Sequence, residues 1–209
     1  KNISSAELSK LLENLYRASN IALINEFKII CDYLKIDVYE VIEAAASKNF
    51  GFQKFSPGPG WGGHCIPIDP FYLSWVAKNK GYQSRIIDEI GKINASVPKF
   101  IINKVISKLG KKINILLIGL SYKKNIDDDR ESPTYEFAKI LNNKKIKFDF
   151  YDPFLKVMKK TRRNSIIKKR ASLEIQNLKS YTCGIIITDH DTLNYKLFSL
   201  ESLLAPFYL

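Results

Sequence analysis

One cysteine of this chain lies in the segment that is richest in glycine and proline. Cys65 lies between residues 58–63, which read Gly-Pro-Gly-Trp-Gly-Gly, and residues 66–70, which read Ile-Pro-Ile-Asp-Pro. Glycine allows a ligand to approach the backbone closely, and proline limits the freedom that glycine would otherwise give to the loop. A thiol in such a loop can act as a nucleophile, because backbone amides can stabilise a thiolate or a developing oxyanion. Asp69 is a candidate base or water-orienting group.

Two other interpretations of this segment compete with a catalytic one. A lone cysteine is usually a buried thiol, here within a structural glycine turn, but the density of glycine and proline favours catalysis. A metal site of His64, Cys65 and Asp69 is not supported, because the chain has two histidines and no Cys-x-x-Cys or His-x-x-x-His spacing. We therefore expect no metal.

A long amphipathic helix is predicted before this loop. Residues 4–7, Ser-Ser-Ala-Glu, predict a capping box, and apolar residues recur with a helical period to about Leu34. The stripe consists of Leu8, Leu11, Leu12, Leu15, Ala18, Ala22 and Phe27. Lys10 and Asn14 are four residues apart and outside it, so we expect them to project side by side from one face. By themselves they are either solvated polar residues or a functional pair.

The rest of the first 109 residues also predicts helices. Asp37 caps a second helix that ends near Lys48, and a third helix is predicted over residues 71–80. A fourth is predicted over residues 84–109, with a kink or break at Pro98. We therefore predict a helical domain over residues 1–109.

The pattern changes after residue 110. Residues 113–119 form a nearly continuous apolar run that ends in glycine, which is typical of a strand buried in a parallel sheet. Ser132 and a following proline predict the start of a helix, and residues 148–151 and 184–188 predict two more strands. This alternation predicts a doubly wound, Rossmann-like α/β domain over residues 110–209, with its ligand at the carboxyl ends of the strands.

The formal net charge of +12 raises the possibility of nucleic-acid binding. Basic residues cluster only in residues 156–170, a segment without aromatic side chains for base stacking, so we interpret it as a solvated basic loop. We therefore expect no nucleic-acid partner. The positive charge would still attract an anionic ligand.

The sequence also predicts the compartment. No apolar run is as long as a membrane span and no charged-then-apolar leader is present, so we expect a cytoplasmic protein without membrane contact. Three widely spaced cysteines do not predict a disulfide framework. We expect Cys31 and Cys183 to be core thiols.

Three segments of the chain resemble the UDP-glucose/GDP-mannose dehydrogenases. Residues 58–73 resemble the catalytic-cysteine segment, residues 6–26 the central helix, and residues 119–133 the sugar-nucleotide segment of that family. His64 occupies the position where UDP-glucose enzymes usually carry serine, which is similar to the branch that oxidises UDP-N-acetylhexosamines (UDP-GlcNAc or UDP-ManNAc) for surface polysaccharides. The resemblance extends from about Ser5 to the last residue.

The resemblance implies a four-electron oxidation of a primary alcohol to a carboxylate with two NAD molecules. Cys65 would attack the intermediate aldehyde to give a thiohemiacetal, whose oxidation yields a thioester that water cleaves. Lys10 and Asn14 would stabilise the developing alkoxide, and Asp69 would support proton transfer or position the water. His64 would shape the pocket.

The resemblance also assigns binding residues. Tyr122 and Lys123 would contact the sugar or diphosphate, and Arg130 and Cys65 would lie on the NAD side. The sugar would be lined by the backbone of residues 56–62, represented by Ser56, Gly58, Gly60 and Gly62. A charged surface turn with the acidic residues 127–129 is the alternative for Lys123, Lys124 and Arg130. Asn49 departs from the family, because UDP-glucose enzymes carry there an arginine that reaches the neighbouring subunit.

The resemblance further predicts an incomplete enzyme. No Gly-x-Gly-x-x-Gly follows a predicted strand, so we expect the N-terminal dinucleotide-binding domain to be absent, and residues 205–209 to end the second domain early. We expect the chain to be inactive alone and to form a homodimer through the long helix. The alternative is a non-catalytic dimerisation or UDP-sugar-binding remnant.

Overall fold

A computed structural model describes residues 2–48, 50–161, 164–171, 180–194 and 203–204. The chain divides into two compact units. The helical unit contains residues 1–60 and 64–97, and the sheet unit contains residues 61–63 and 98–209. The predicted domain boundary at residue 109 stays a prediction. Asn49 and residues 205–209, for which the sequence made specific predictions, lie outside the described residues.

The long first helix, α1, spans Ile3–Leu34. Its N-cap is Asn2, whose side chain accepts a hydrogen bond from the Ser5 backbone at 2.8 Å. The predicted capping box at residues 4–7 is therefore wrong, because asparagine is an equally good cap and lies earlier in the chain. The helix ends as predicted, at Leu34, and is followed by Lys35 in a left-handed conformation with φ 57°.

The buried face of α1 agrees with the predicted apolar stripe at Ala18 and Ala22 but not at Leu8 and Leu12. Ala18, Ala22, Asn25 and Cys31 are buried, and so are Asn14 and the ion-paired Lys28. By contrast Leu8 and Leu12 are 52% and 64% exposed. Small side chains allow neighbouring segments to approach the helix closely, which explains why the buried face is built on alanine rather than on leucine.

Three further helices follow α1. Helix α2 spans Val38–Ala46 with Asp37 as its confirmed cap, and helix α3 spans Asp69–Asn79 with a proline in its first turn. Helix α4 spans Ile86–Leu109 and passes through Pro98 without a break. The helix is therefore not broken at Pro98, and the predicted kink stays a prediction. Proline in a helix interior costs about 3 kcal/mol. The buried residues on both sides of it are Ile90, Val97, Ile101, Ile102 and Val105.

The sheet unit contains the predicted parallel sheet. Its strands are β1 (Asn114–Ile118), β2 (Lys147–Tyr151), β5 (Cys183–Ile186) and β6 (Leu203–Leu204), in the spatial order β2-β1-β5-β6. All three strand pairings are parallel. Helix α5, Pro133–Asn143, links β1 to β2 and is capped by Ser132, as predicted. Because the strands are parallel, the loops after β1, β2 and β5 meet at one edge of the sheet.

The basic segment after β2 is more ordered than the sequence predicted. Strands β3 (Val157–Met158) and β4 (Lys168–Lys169) form an antiparallel pair. The Lys168 Nζ lies 3.1 Å from Asp149 Oδ1 and 4.7 Å from the centre of the Phe148 ring. The interpretation as a solvated loop is thus wrong for Lys168, because β2 supplies a carboxylate and an aromatic ring that bind it. Lys159, Lys160 and Lys169 are exposed, as expected. Arg162 and Arg163 lie outside the described residues.

No helix in the described part of the chain is both long enough and apolar enough to span a membrane.

Candidate functional site

In the helical unit, Cys65 is exposed directly before helix α3. Its backbone carbonyl accepts hydrogen bonds from the Ile68 and Asp69 amides, at 3.2 and 2.8 Å, which form a turn that leads into the helix. Cys31 and Cys183 are only 2% and 1% exposed, so the prediction of two core thiols is confirmed. Burial raises the pKa of the Cys183 thiol to about 11. Cys65 is therefore the thiol that a reagent or substrate can reach.

Asn14 and Asp69 lie together, although 55 residues separate them in the sequence. The Asn14 amide donates to Asp69 Oδ2 at 2.7 Å, and the Arg17 guanidinium donates to Asn14 Oδ1 at 3.1 Å. Asn14 is only 1% exposed. It is therefore not the solvated helix residue that the sequence left open, and it fixes the Asp69 carboxylate at the start of α3.

Lys10 lies in a different environment from Asn14. Its side chain is 62% exposed, and its Nζ is 3.2 Å from Glu13 Oε2 on the same helix. An exposed pair of this kind contributes about 0.2–1 kcal/mol at most, so it does not fix the lysine in one conformation. Lys10 and Asn14 occupy neighbouring positions four residues apart on α1, but no hydrogen bond joins their side chains among the described contacts. Their joint role stays a prediction.

A buried pair of asparagines holds the glycine-rich loop, and the sequence reasoning missed it. Asn25 is 0% exposed, accepts a hydrogen bond from the Gly58 backbone at 2.8 Å and donates to Asn94 at 3.0 Å. Asn25 lies on the face of α1 that carries Ala18 and Ala22. Its position among these small residues was the signal for a buried polar group.

Three residues of the same loop, Trp61–Gly63, belong to the sheet unit. A Cβ added at Gly62 would lie 2.6 Å from the Tyr122 Cβ and 3.1 Å from the Glu131 carbonyl oxygen. Gly63 has φ +88°, contacts the Tyr122 ring and donates its amide to the Arg130 carbonyl at 3.0 Å. Glycine is thus required here for both close approach and conformation. The other loop residues predicted to line the sugar, Ser56, Gly58 and Gly60, belong to the helical unit.

Tyr122, Lys123 and Arg130 lie in the segment after β1, as predicted. Tyr122 is half-buried and Lys123 is exposed. The Arg130 guanidinium forms bidentate hydrogen bonds to Asp128, with Nε and Nη2 at 2.9 and 2.6 Å from Oδ2. This is the charged turn that the sequence analysis named as the alternative for Arg130. The assignment of Arg130 to the NAD side stays a prediction.

A buried carboxylate and imidazole at the carboxyl edge of the sheet were not foreseen. Asp152, directly after β2, accepts hydrogen bonds from the Leu120, Ser121, Phe154 and Leu155 amides at 2.7–2.9 Å. His190, which follows β5, lies 3.2 Å from Asp152 Oδ2, and both side chains are 0% exposed. Burial opposes ionisation of Asp152, but the hydrogen bonds from His190 and the backbone amides outweigh it and lower the pKa of the carboxyl.

These residues do not fit a dinucleotide. In a Rossmann domain, an acidic residue about 20 positions after the glycine turn binds the ribose, but both oxygens of Asp152 are occupied by the protein itself. Residues 58–63 do match the Gly-x-Gly-x-x-Gly spacing, but they follow no described strand and lie between α2 and α3. No cluster of three or more potential metal ligands occurs among the described residues.

Comparison with known proteins decides the family. Residues 4–96 match the central domain of the UDP-glucose/GDP-mannose dehydrogenase family, and residues 116–206 match its UDP binding domain. The chain belongs to this family. The two matches cover the cysteine loop with α1, and the sheet with the segment after β1.

The relatives are similar over most of this chain. UDP-N-acetyl-D-mannosamine dehydrogenase of Methanococcus vannielii is 36% identical over 205 residues, which are 96% of this chain and 44% of the relative. UDP-N-acetyl-D-glucosamine 6-dehydrogenase of Pseudomonas aeruginosa is 34% identical over 160 residues, 74% of this chain and 37% of the relative. The structure of UDP-D-ManNAc dehydrogenase from Pyrococcus horikoshii has a TM-score of 0.78 and 29% identity, covering 97% of this chain and 47% of that chain. The chain thus spans less than half the length of these relatives.

Proposed function

We propose that this chain forms part of an NAD-dependent dehydrogenase that oxidises the 6-hydroxyl of a UDP-N-acetylhexosamine to the uronic acid. The observation that carries the proposal is the exposed Cys65 in a loop that matches the family's central domain. Relatives that are named for UDP-N-acetyl-D-mannosamine and UDP-N-acetyl-D-glucosamine support this class of sugar. The product would serve the synthesis of surface polysaccharides.

Cys65 acts on the aldehyde stage of the reaction. Its sulfur bonds to the aldehyde carbon, the C=O π bond breaks, and the thiol proton passes to the oxygen to give a thiohemiacetal. After oxidation of that carbon to a thioester, water attacks, the C–S bond breaks and the thiol is restored. A covalently held aldehyde cannot escape from the enzyme. NAD would supply the hydride acceptor for both oxidations, with Arg130 and Cys65 on its side of the site.

Asn14 and Asp69 act as a unit in this proposal. The Asn14 amide holds Asp69 Oδ2 at 2.7 Å, which leaves the second carboxylate oxygen to orient water or accept a proton. Arg17 holds Asn14 in turn. The carboxylate is oriented before the substrate binds, so little reorganisation is needed during the reaction.

Lys10 contributes positive charge. Its exposed side chain leaves Glu13 at little cost, so it can reach an oxygen that becomes negative when the 6-hydroxyl loses its proton. Tyr122 and Lys123 contact the sugar nucleotide in the sheet unit, where the family's UDP binding domain matches. His64 shapes the sugar pocket.

The homodimer is also part of the proposal. Six apolar side chains of α1, spaced 4, 4, 7, 7 and 4 residues apart, lie on one face and are 47–64% exposed. They are Leu8, Leu12, Tyr16, Leu23, Ile30 and Leu34. An exposed apolar stripe of this length favours a symmetric partner, and the occupant that we propose is a second copy of α1.

The test of the proposed function is ligand protection of Cys65. The alkylation rate of Cys65 by iodoacetamide is measured by mass spectrometry with UDP-GlcNAc, UDP-ManNAc, UDP-glucose or GDP-mannose present, and binding is measured by calorimetry. We expect a UDP-N-acetylhexosamine to bind and to slow the alkylation at least about fivefold. GDP-mannose is the control that tests recognition of the nucleotide base. If no UDP-sugar binds at millimolar concentration, or if bound sugar leaves the rate unchanged, the proposal is wrong.

A further inference from the structure

The buried imidazole of His190 forms hydrogen bonds with the segment Ser121–Asn125, which carries Tyr122 and Lys123. The Asn125 backbone amide donates to His190 Nδ1 at 3.0 Å. The other ring nitrogen, Nε2, lies 3.1 Å from Ser121 Oγ and 3.2 Å from Asp152 Oδ2. One buried ring thus contacts both ends of a five-residue segment.

The partners of His190 determine its protonation. A backbone amide can only donate, so Nδ1 must present its lone pair to Asn125. The ring proton therefore lies on Nε2, where the Asp152 carboxylate can only accept. Ser121 Oγ donates its own proton to the Lys123 carbonyl at 3.0 Å, so it too accepts from Nε2. Each polar atom in the cluster has a partner with the correct role only if the imidazole is neutral.

The grouping of serine, histidine and aspartate is not a catalytic triad. In a triad the serine and the carboxylate bind opposite ring nitrogens, whereas Ser121 and Asp152 both face Nε2 of His190. All three side chains are 0% exposed. The cluster therefore has a positioning role rather than hydrolytic chemistry.

The segment needs such a restraint. Asn125 has φ 63°, in the left-handed region, which is costly for most residues although asparagine tolerates it. An outer contact also exists, since Asp191 binds Lys124 at 2.9 Å and the Asn125 side chain at 2.6 Å. That contact is exposed to solvent and contributes less than the buried one. The buried imidazole therefore restrains Asn125, beside the bonds that Ser121 makes to Asp152 and Thr188.

We propose that neutral His190 is a positioning residue that fixes the Ser121–Asn125 segment and thereby sets the affinity of Tyr122 and Lys123 for a nucleoside diphosphate. The affinity half of this proposal rests on the proposed function. The restraint itself rests only on contacts within the sheet unit.

The first measurement requires no substitution at His190. The chain contains two histidines, so ¹⁵N spectra of the imidazoles are readily assigned, with His64→Gln removing the other ring. We expect the His190 proton on Nε2 at pH 7 and a strongly protected Asn125 amide in hydrogen exchange. A proton on Nδ1 or on both nitrogens, or fast exchange of the Asn125 amide, overturns the proposal.

Two variants separate the roles of the two ring nitrogens. In His190→Asn the side-chain oxygen takes the place of Nδ1 and can still accept from Asn125, whereas in His190→Gln the amide takes the place of Nε2 and this acceptor is lost. We expect His190→Gln to lose at least about tenfold in Asn125 protection and about tenfold in affinity for UDP by calorimetry. His190→Asn should retain more of both. Lys139→Gln, an exposed site on α5, is the matched control and should leave both unchanged.

The outcomes separate the two proposals. If the wild-type chain binds no UDP, the proposed function fails, and the restraint is then judged by the tautomer and the exchange of Asn125. If UDP binds but His190→Gln binds it as tightly as the wild type, the positioning role is wrong and the proposed function stands. If neither variant folds, the wild-type tautomer and exchange decide.

Discussion

At the scale of single residues, burial distinguishes the three thiols. Cys65 is exposed, whereas Cys31 and Cys183 are 2% and 1% exposed, and burial also raises the pKa of Cys183 to about 11. Because the thiolate is the reactive species, brief treatment with iodoacetamide should label Cys65 first, which mass spectrometry can measure. Cys65→Ser is the control and should remove the fast phase. Preferential labelling of either other cysteine would show that the loop is a buried turn.

Asp152 gives a prediction on acid stability. Its folded-state pKa is lowered from 3.8, so its stabilising contribution is present above about pH 4 and is lost as the pH falls further. Asp152→Asn replaces one acceptor by a donor that faces backbone amides, so we expect a loss of about 2–4 kcal/mol at pH 7 in denaturant unfolding.

The difference between Asp152→Asn and the wild type should shrink as the pH falls below about 4, because protonation of Asp152 in the unfolded state then removes the stabilisation that its ionised form gives the folded state. Glu136→Gln, which removes an exposed carboxylate, serves as the control and should cost less than about 1 kcal/mol at any pH. A difference that is constant from pH 7 to pH 2 would contradict the assignment of an ionised Asp152.

At the scale of elements, the close packing of the glycine-rich loop predicts which of its glycines can be replaced without loss of stability. A Cβ at Gly62 would lie 2.6 Å from the Tyr122 Cβ, whereas a Cβ at Gly58 would meet only the Gly60 carbonyl oxygen, at 3.6 Å. Gly62→Ala should therefore cost about 1–3 kcal/mol in thermal or denaturant unfolding. Gly58→Ala is the matched control and should change stability by less than about 1 kcal/mol. Equal stability of the two variants would contradict the close packing.

Local signals in the sequence were sufficient to predict where most helices and strands begin. The caps at Asp37 and Ser132 and the apolar run of β1 mark where α2, α5 and the sheet begin. The break allowed for at Pro98 does not occur, because a local helix-breaking signal competes with burial of α4 residues on both sides of the proline, which sequence periodicity does not measure.

The candidate site was only partly predictable for a related reason. Cys65 and Tyr122 could be proposed as site residues because they lie in local motifs. The contacts of Asn14 with Asp69 and of Asp152 with His190 join residues 55 and 38 positions apart. Such pairings depend on how helices and strands pack, and no local pattern of residues encodes them.

At the scale of the whole chain, the absence of a dinucleotide-binding turn after β1 predicts that this chain alone does not reduce NAD. The described residues offer no glycine turn at a helix N-terminus for the cofactor's pyrophosphate, and Asp152 cannot bind its ribose. The purified 209-residue chain should therefore produce no NADH from NAD and a UDP-sugar, measured by absorbance. The UDP binding control shows that the protein is folded, and measurable NADH would contradict the prediction.

Self-association is the last prediction for the whole chain. The exposed apolar stripe on α1 runs from Leu8 to Leu34, about 39 Å at 1.5 Å per residue, which is long enough for a stable helix pair. Light scattering should therefore report about twice the 24.0 kDa of one chain. The double variant Leu12→Lys, Leu23→Lys places charges within the stripe and should give a monomer.

The control is Glu40→Lys, an exposed residue of α2 that changes the net charge in the same direction away from the stripe. It should leave the dimer intact, which separates loss of apolar contact from general repulsion between positively charged chains. A wild-type mass of 24.0 kDa would show that α1 does not pair with a second copy. A dimer that survives both lysines would place the interface on another surface, because buried lysines at its centre could not be tolerated without partners.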